Sequence, residues 1–325
     1  MGAAGKVLGA AALALCVTAC GGGERQGATA GGDWRAQMGQ LRVAARGAEE
    51  DPEVASRWTT LRDYLGGITG LPVKIYESAD YNGTIAALSS GQVDVASMAG
   101  GGYANVDAQV GELAAPILTV REAEGNTGYY SAVIVRADSP FRTIADLEGR
   151  AIGYTDLNST SGYLFPRAKM REQGIDPDAF FGSSSFAGGH TQAVMALENG
   201  QFDAAVVNMT GGDPVNGFTS GPQFTMARKG LVRLEDFRIV WTAGPIPNAA
   251  IVVRTDRPQA MTDVVRGALA AVPYDHPKIW RDIGQPHGAS YAAVSRAHYR
   301  DIIALREEAI AERRRSGGSS GGSGS

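Results

Sequence analysis

A ten-residue pattern that occurs twice places the strongest constraint on how this chain folds. Residues 87–96 read ALSSGQVDVA and residues 196–205 read ALENGQFDAA. Each copy is typical of a helix end, a Gly-Gln turn and a strand that begins at Asp. At the same offset, the strand predicted at residues 42–45 aligns with residues 151–154. Units of this kind also resemble one another by chance, but the agreement of the flanking elements favours two related lobes.

Strands and helices alternate along both copies of the pattern. Residues 41–45 and 73–76 predict strands, and the helix between them begins at Pro52 and ends at the glycine pair 66–67. Such alternation is typical of parallel α/β sheets whose strands are joined by right-handed crossovers. The sequence therefore predicts an α/β fold in each lobe.

Two extended segments connect the predicted lobes. Residues 130–135 and 238–253 are rich in β-branched side chains and lie on either side of the second copy, so we interpret them as the two crossing strands of a hinge. This organisation predicts lobe 1 at residues 40–132, lobe 2 at 133–245 and a return to lobe 1 at 246–315. A ligand is expected in the cleft between the lobes, outside the carboxyl ends of the strands.

The amino terminus has the composition of an export signal. Lys6 precedes an apolar run at residues 7–17, which is too short to cross a bilayer, and the small residues that follow end at Cys20. This arrangement resembles a bacterial lipobox and predicts a signal peptide at residues 1–19 with lipid attachment at Cys20. Since Cys16 lies in the removed segment, no intrachain disulfide is expected. A plain secretory signal with an incidental cysteine is the alternative.

The segments that flank the predicted lobes are rich in small residues. Residues 20–39 predict a flexible tether, and residues 316–325, which contain only Ser and Gly, predict a disordered tail. The formal net charge of −4 gives no basic excess and argues against nucleic-acid binding. We expect a monomer held at the outer face of the cytoplasmic membrane, or in the periplasm, by its lipid.

Small hydroxyl residues cluster where the strand at residues 151–155 turns into a helix. Ser159, Thr160 and Ser161 are followed by Gly162. The first N–H groups of a helix lack intrahelical partners and carry the positive end of its dipole, hydroxyl groups add donors, and glycine admits an anion close to the backbone. The segment therefore predicts an oxyanion seat without a fixed positive charge. The alternative is that these residues only cap the helix.

A histidine is predicted at the start of another helix. His190 follows a glycine pair and aligns with Tyr81 of the first copy, and its ring N–H can donate to an oxyanion. The alternative is a surface or capping histidine. The other histidines are at positions 276, 287 and 298, and their spacing predicts no metal site. No cofactor is expected.

Several motifs, taken in order, resemble the PhnD-like phosphonate, phosphite and phosphate-type binding components of ABC importers. The resemblance covers roughly residues 41–253 and is carried by YSAVIV at 130–135, DLEG at 146–149, STSGY at 159–163 with Pro166, Gly189-His190, GQFDAA at 200–205 and IPN at 246–248. It implies a type II-like periplasmic binding protein fold, with two α/β lobes joined by a two-strand hinge.

The resemblance also implies which residues meet the ligand. In the family the Ser-Thr-Ser loop and the following histidine hold the phosphorus oxygens, which corresponds here to Ser159, Thr160, Ser161 and His190. Tyrosines of the first lobe close over the ligand, which corresponds to Tyr81 and Tyr103.

The chain departs from the pattern of aminophosphonate binders. Those members place carboxylates near the ligand amine, whereas this chain has Asn208 and Ala249 in the corresponding regions, and we expect Asn208 to contact the ligand. The lack of carboxylates in these regions argues for phosphite, methylphosphonate-like or phosphate-like ligands. Glu49, Glu50 and Asp51 weaken the argument because the repeat places them opposite the hydroxyl loop, where they either face the cleft or only cap a helix.

The predicted function is capture of such an oxyanion and delivery to an ABC permease and its ATPase. A sensor that presents the ligand to a membrane histidine kinase would have the same fold and remains open. A hydrolase that uses Ser159 or Ser161, His190 and Asp156 is disfavoured because the chain has no Gly-x-Ser-x-Gly motif.

Overall fold

The computed structural model describes residues 1–2, 33–45, 52–78, 80–123, 125–285 and 289–319, with the main chain alone at 52–57 and 316–319. Residues 3–19 of the predicted signal peptide, Cys20 and the carboxylates at residues 49–51 lie outside the described residues, and those interpretations stay predictions. Contacts divide the chain into Met1–Gly32 and Asp33–Ser325, and the fold described below belongs to the second unit.

The strands are β1 (Leu41–Ala44), β2 (Val73–Tyr76), β3 (Val95–Met98), β4 (Ala114–Arg121), β5 (Gly128–Arg136), β6 (Ala151–Tyr154), β7 (Ser183–Phe186), β8 (Ala204–Asp213), β9 (Gly217–Ser220), β10 (Phe237–Pro247), β11 (Ala250–Arg254) and β12 (Ser290–Ala293).

The α-helices are α1 (Trp34–Met38), α2 (Pro52–Thr69), α3 (Tyr81–Ser89), α4 (Gly100–Val110), α5 (Phe165–Glu172), α6 (Pro177–Phe180), α7 (His190–Glu198), α8 (Pro222–Arg228), α9 (Gln259–Asp275), α10 (Pro277–Asp282) and α11 (Arg300–Ser319). A π-helical turn, Thr160–Leu164, leads into α5, and short 3-10 turns lie at Gly111–Leu113, Ile144–Leu147, Leu234–Asp236 and Arg296–Tyr299. None of the helices within the described residues is long and apolar enough to span a membrane.

The strands form two main sheets, one in each lobe. The first has the order β2-β1-β3-β11-β4-β12, and the second has the order β7-β6-β8-β5-β10, with β9 paired to β8. In both sheets the strands of the repeat are parallel, and the neighbouring strand, β11 or β5, is antiparallel. Buried apolar side chains cover both faces of each sheet, as expected for sheets enclosed by helices. The predicted two-lobe α/β fold is confirmed.

The internal repeat is visible in the strand register. Val43 pairs with Val95 in the first sheet, and at the same offset Ile152 pairs with Ala204 in the second. The Asp that begins the second strand of each pair has the same role, because its carboxylate accepts a hydrogen bond from the main-chain N–H at the start of the first strand. These bonds are Arg42 N to Asp94 Oδ2 at 2.9 Å and Ala151 N to Asp203 Oδ2 at 3.0 Å.

The two connections between the sheets are bonded to each other at Asn248. The chain leaves the first sheet after β4 and returns between β10 and β11. The main-chain N–H of Asn248 donates to Thr127 O at 2.8 Å, and its side-chain amide donates to Val120 O at 3.0 Å. The hydroxyl of Tyr299 donates to Asn248 O at 2.8 Å. Hydrogen bonds at Asn248 therefore hold the two connections between the sheets together.

Three boundary predictions are corrected by the structure. Helix α2 continues past the glycine pair 66–67 to Thr69, and its end is at Gly70, which has a φ of +69°. Residues 34–38, predicted as tether, form α1, because Trp34 packs against the core and the Arg35 guanidinium donates to Thr69 O at 2.6 Å. Helix α11 continues into the predicted tail as far as Ser319, since extending a formed helix costs far less than starting one.

Candidate ligand-binding site

Three segments of the two lobes meet at the hydroxyl loop. The hydroxyl loop is residues 155–162, which follow β6 of the second lobe and include the start of the π-helical turn. Helix α7 of the same lobe begins beside it, and helices α3 and α4 of the first lobe approach it from across the interlobe boundary. All of the hydroxyl residues 159–161 and His190 are buried. The structure therefore gathers most of the predicted polar residues at one place between the lobes.

Ser159 caps the π-helical turn and also faces the histidine. Its Oγ accepts a hydrogen bond from Gly162 N at 3.0 Å and lies 3.5 Å from His190 Nε2. The oxygen therefore caps a helical turn as an acceptor, and its own O–H can donate to a further partner.

The tautomer of His190 follows from its neighbour on β8. The main-chain N–H of Asn208 donates to His190 Nδ1 at 3.2 Å. Since Nδ1 is an acceptor, the ring proton lies on Nε2, which is the nitrogen that faces Ser159. His190 is the first residue of α7, whose N-cap, Gly189, provides no side-chain cap. The arrangement directs an N–H donor towards the hydroxyl loop.

Gly162 is required because its surroundings leave no room for a side chain. A Cβ at this position would overlap Thr155 Oγ1 and would lie 2.8 Å from Ser159 Oγ. Thr155 is fully buried, and its hydroxyl has no hydrogen-bond partner among the described residues. The two hydroxyls therefore share a small space above Gly162.

Thr160 contacts the first lobe directly. Its Oγ1 accepts a hydrogen bond from Gly101 N at 2.6 Å, in the first turn of α4. Ala99, the N-cap of α4, provides no side-chain cap, so Thr160 supplies this function from the opposite lobe. Gly101 allows the close approach, since a Cβ there would lie 2.5 Å from Asn158 O.

Asn158 forms a second contact between the lobes. Its Nδ2 donates to Asn82 Oδ1 of α3 at 2.9 Å, and its Oδ1 accepts from Asn105 Nδ2 of α4 at 2.8 Å. An amide can donate and accept at once, which suits it to join two helices. The hydroxyl loop is thus bonded to both first-lobe helices that begin at the boundary.

The other predicted residues are placed differently. Ser161 contributes its main-chain oxygen, which accepts from Ser131 Oγ at 2.7 Å. For Asn208 the contact at the site is the main-chain N–H described above. Tyr81 is the first residue of α3 and packs in the first-lobe core. The ring of Tyr103 lies deeper in that core, with its hydroxyl 3.4 Å from Asp107 Oδ1. These contacts place the Tyr103 ring in the first-lobe core, and its role at the ligand stays a prediction.

Sequence reasoning missed the amide and glycine contacts between the lobes. Asn158 directly precedes the Ser-Thr-Ser motif, and Gly101 lies two residues before Tyr103. Both are therefore close to residues that the sequence predicted for the site. Asn82 and Asn105 have no motif of their own. Their role appears only when the two lobes are brought together.

Two charged groups lie near the loop. Burial raises the pKa of the Asp156 carboxyl, although its bond from Asn158 N at 2.7 Å acts in the opposite direction. Arg306 of α11 is buried, and its Nη2 donates to Leu157 O at 3.2 Å. Within the described residues no group of three or more His, Cys, Asp or Glu is arranged to hold a metal ion.

A separate groove of about 390 Å³ lies between α5 and α11. It is lined by charged side chains, and an exposed ion pair of 3.4 Å between Arg171 and Glu312 joins the two helices across it. The groove begins at Tyr163 and Leu164, directly after the hydroxyl loop. It is distinct from the buried site described above.

Comparison with known proteins identifies the family. The model for the periplasmic substrate-binding protein of ABC phosphonate transporters matches residues 47–299. The chain is 31% identical over 248 residues to the phosphate-import protein PhnD of Mycolicibacterium smegmatis, covering 73% of this chain and 72% of that protein. It is 27% identical over 227 residues to the phosphonates-binding periplasmic protein of Escherichia coli, covering 67% of this chain and 61% of that protein.

A solved structure shows the same architecture. PhnD1 of Prochlorococcus marinus, in complex with methylphosphonate, superposes with a TM-score of 0.70 at 15% identity, covering 84% of this chain and 98% of that one. The fold, the matched family model and the curated relatives agree. The chain belongs to the family of periplasmic substrate-binding proteins of ABC phosphonate transporters.

Proposed function

We propose that this protein captures a small phosphorus oxyanion, such as phosphite, a phosphonate or phosphate, and delivers it to a membrane permease and its ATPase. The ligand would bind between lobe 1, residues 40–132 and 246–315, and lobe 2, residues 133–245. The observation that carries the proposal is the meeting of Ser159, Thr160 and His190 Nε2 at one buried place between the lobes.

The donors at this place suit an oxyanion. The hydroxyl oxygens of Ser159 and Thr160 already accept main-chain N–H groups, so each hydroxyl proton can be donated to a ligand. The Nε2–H of His190 is a further donor, and the amino-terminal end of α7 adds a favourable partial charge. Bonds from such groups to an ionised oxygen are each worth about 1.5–3 kcal/mol.

The same geometry supports binding rather than hydrolysis. In a serine hydrolase, a carboxylate accepts the Nδ1–H of the histidine so that Nε2 can take the serine proton. Here a main-chain N–H donates to His190 Nδ1, which leaves Nε2 protonated and unable to act as the base for Ser159. Asp156 accepts instead from the main chain of its own loop.

The names of the relatives support the ligand class. The Mycolicibacterium protein is described as importing phosphate, the Escherichia coli protein as binding phosphonates, and the Prochlorococcus structure contains methylphosphonate. Asn208 and Ala249 offer no carboxylate for an amine, and we propose a ligand without one. Attachment of a lipid to Cys20 would hold the monomer at the outer face of the cytoplasmic membrane.

The proposal is tested by calorimetric titration of the full chain with phosphite, phosphate, methylphosphonate, 2-aminoethylphosphonate and sulfate. At least one of the first three is expected to bind tightly. The aminophosphonate is expected to bind at least about tenfold more weakly, since its ammonium loses a charge-assisted partner. A preference for 2-aminoethylphosphonate would contradict the amine-free assignment, and binding of none of the phosphorus oxyanions would overturn the proposed function.

A further inference from the structure

The C-terminal helix inserts one guanidinium between the two lobes. Arg306 lies on α11, which packs on the first-lobe core through Ile302 and Ile303, and only 2% of the residue is exposed. Its Nη2 donates to Leu157 O of the second lobe at 3.2 Å and lies 3.5 Å from Gly101 O of the first lobe. A single side chain therefore reaches a carbonyl of each lobe.

The guanidinium is poorly compensated where it lies. Among the described residues no carboxylate comes within ion-pair distance of it, and its buried Nε has no hydrogen-bond partner. Burial, followed by repulsion from Arg313, lowers the pKa of Arg306 to about 10, although Asp156 acts in the opposite direction through space. Since burying a cation without an ionic partner is costly, Arg306 is expected to have a specific role where it lies.

The two carbonyls belong to the segments that form the candidate site. Leu157 precedes Asn158 and Ser159 in the hydroxyl loop. The main-chain N–H of Gly101 also donates to Thr160 Oγ1 at 2.6 Å, which is a second contact between these two segments. Arg306 and Thr160 therefore both join the hydroxyl loop to the first turn of α4. Arg306 does so by donating to a main-chain carbonyl of each segment, and Thr160 does so by accepting a main-chain N–H.

We propose that Arg306 is a positioning residue for closure, in which its guanidinium joins the hydroxyl loop to the first turn of α4 and places its charge behind the oxyanion seat. When the lobes separate, the guanidinium loses one of its two carbonyls and gains water. A bound anion would offset its charge when the lobes meet. This second effect rests on the proposed function, whereas the joining of the lobes does not.

The variants Arg306→Met and Arg306→Lys separate length, charge and hydrogen bonding. Methionine fills much of the space but removes the charge and all donors, and lysine keeps the charge but has no planar fork to span two carbonyls. Arg171→Met is the matched control, because Arg171 also joins the lobes through α11 but does so in an exposed ion pair.

The measurement is the distance distribution between spin labels at Ile68→Cys in α2 and Met195→Cys in α7, both exposed, in a full chain whose Cys16 and Cys20 are replaced by Ser. Without ligand, Arg306→Met should at least halve the short-distance population, Arg306→Lys should restore part of it, and Arg171→Met should leave it unchanged. Affinity for the oxyanion that the wild type binds should fall at least about tenfold in Arg306→Met.

The two proposals fail separately in this experiment. An unchanged distance distribution in Arg306→Met, or an equal change in Arg171→Met, would overturn the positioning role whether or not any oxyanion binds. A wild type that binds none of the phosphorus oxyanions but opens when Arg306 is replaced would overturn the proposed function and retain the positioning role. A lower melting temperature with unchanged distances and affinity would show that Arg306 serves stability alone.

Discussion

Helices α3 and α7 occupy equivalent positions of the repeat but begin differently. In the first lobe Asp80 is the N-cap of α3, and its Oδ1 accepts from Gly83 N at 2.8 Å. In the second lobe the equivalent position is Gly189, which offers no side-chain cap, and α7 begins with His190. A carboxylate at a helix start satisfies donors internally and repels anions, whereas an uncapped start keeps its donors for an external acceptor.

The repeat preserves the framework of the two lobes and varies the ends of its helices. Strand register and the Asp that joins neighbouring strands are the same in both lobes. The groups suited to an oxyanion are concentrated in the second lobe, and the first lobe supplies the helices that meet them. The asymmetry makes the second lobe the expected seat of the ligand.

The largest expected effect is on the free energy of unfolding and concerns the Asp that joins neighbouring strands in each lobe. Asp94 is fully buried and binds both Arg42 and Arg257, with distances of 2.6 Å and 2.7 Å. Asp94→Ala is expected to lower the free energy of unfolding by about 3–5 kcal/mol, as the loss of a buried ionic partner does. Asp203→Ala, at the equivalent position, removes a charged acceptor of one main-chain bond and is expected to cost about 1.5 kcal/mol. Equal losses in urea denaturation would contradict this difference between the lobes.

A smaller effect concerns the helix ends. Gly189→Asp gives α7 the cap that α3 has, and the extended φ of −179° at this position accepts any residue. We expect unchanged or slightly higher stability, because Asp is a favoured N-cap, together with at least tenfold weaker oxyanion binding through charge repulsion. Thermal unfolding and calorimetry on the same preparation measure the two effects. Binding at wild-type affinity would place the ligand away from α7.

The smallest expected effect concerns a residue that the sequence placed in the site. Because the hydroxyl of Tyr103 lies near Asp107 in the core, Tyr103→Phe is expected to change oxyanion affinity less than about twofold, as a substitution away from the ligand does. Tyr81→Phe provides the comparison at the start of α3. A tenfold loss in Tyr103→Phe would favour the ligand contact predicted from the family pattern.

The repeat and the alternation of elements predicted the lobes because hydrophobic periodicity and turn glycines are local properties of the sequence. Ser159, Gly162 and His190 could also be proposed from the sequence, since they lie at strand-to-helix junctions of recognisable composition. The contacts of Asn158 with Asn82 and Asn105, and of Thr160 with Gly101, join positions far apart in the chain. No local pattern encodes such a pairing, so these contacts required the assembled fold.

The short helix α1 shows the opposite limit. Residues 34–38 look like the continuation of a tether by composition, but Trp34 and Met38 find an apolar surface on the first lobe. Composition predicts what a segment would do alone, whereas packing decides what it does beside a core.

Calorimetric titration of the Ser159→Ala, Thr160→Ala double variant with the oxyanion that the wild type binds tests the oxyanion seat directly. We predict loss of binding because two hydroxyl donors are removed from the seat, with circular dichroism showing that the fold is retained. Unchanged affinity in the folded double variant would contradict the assignment of the oxyanion seat to the hydroxyl loop.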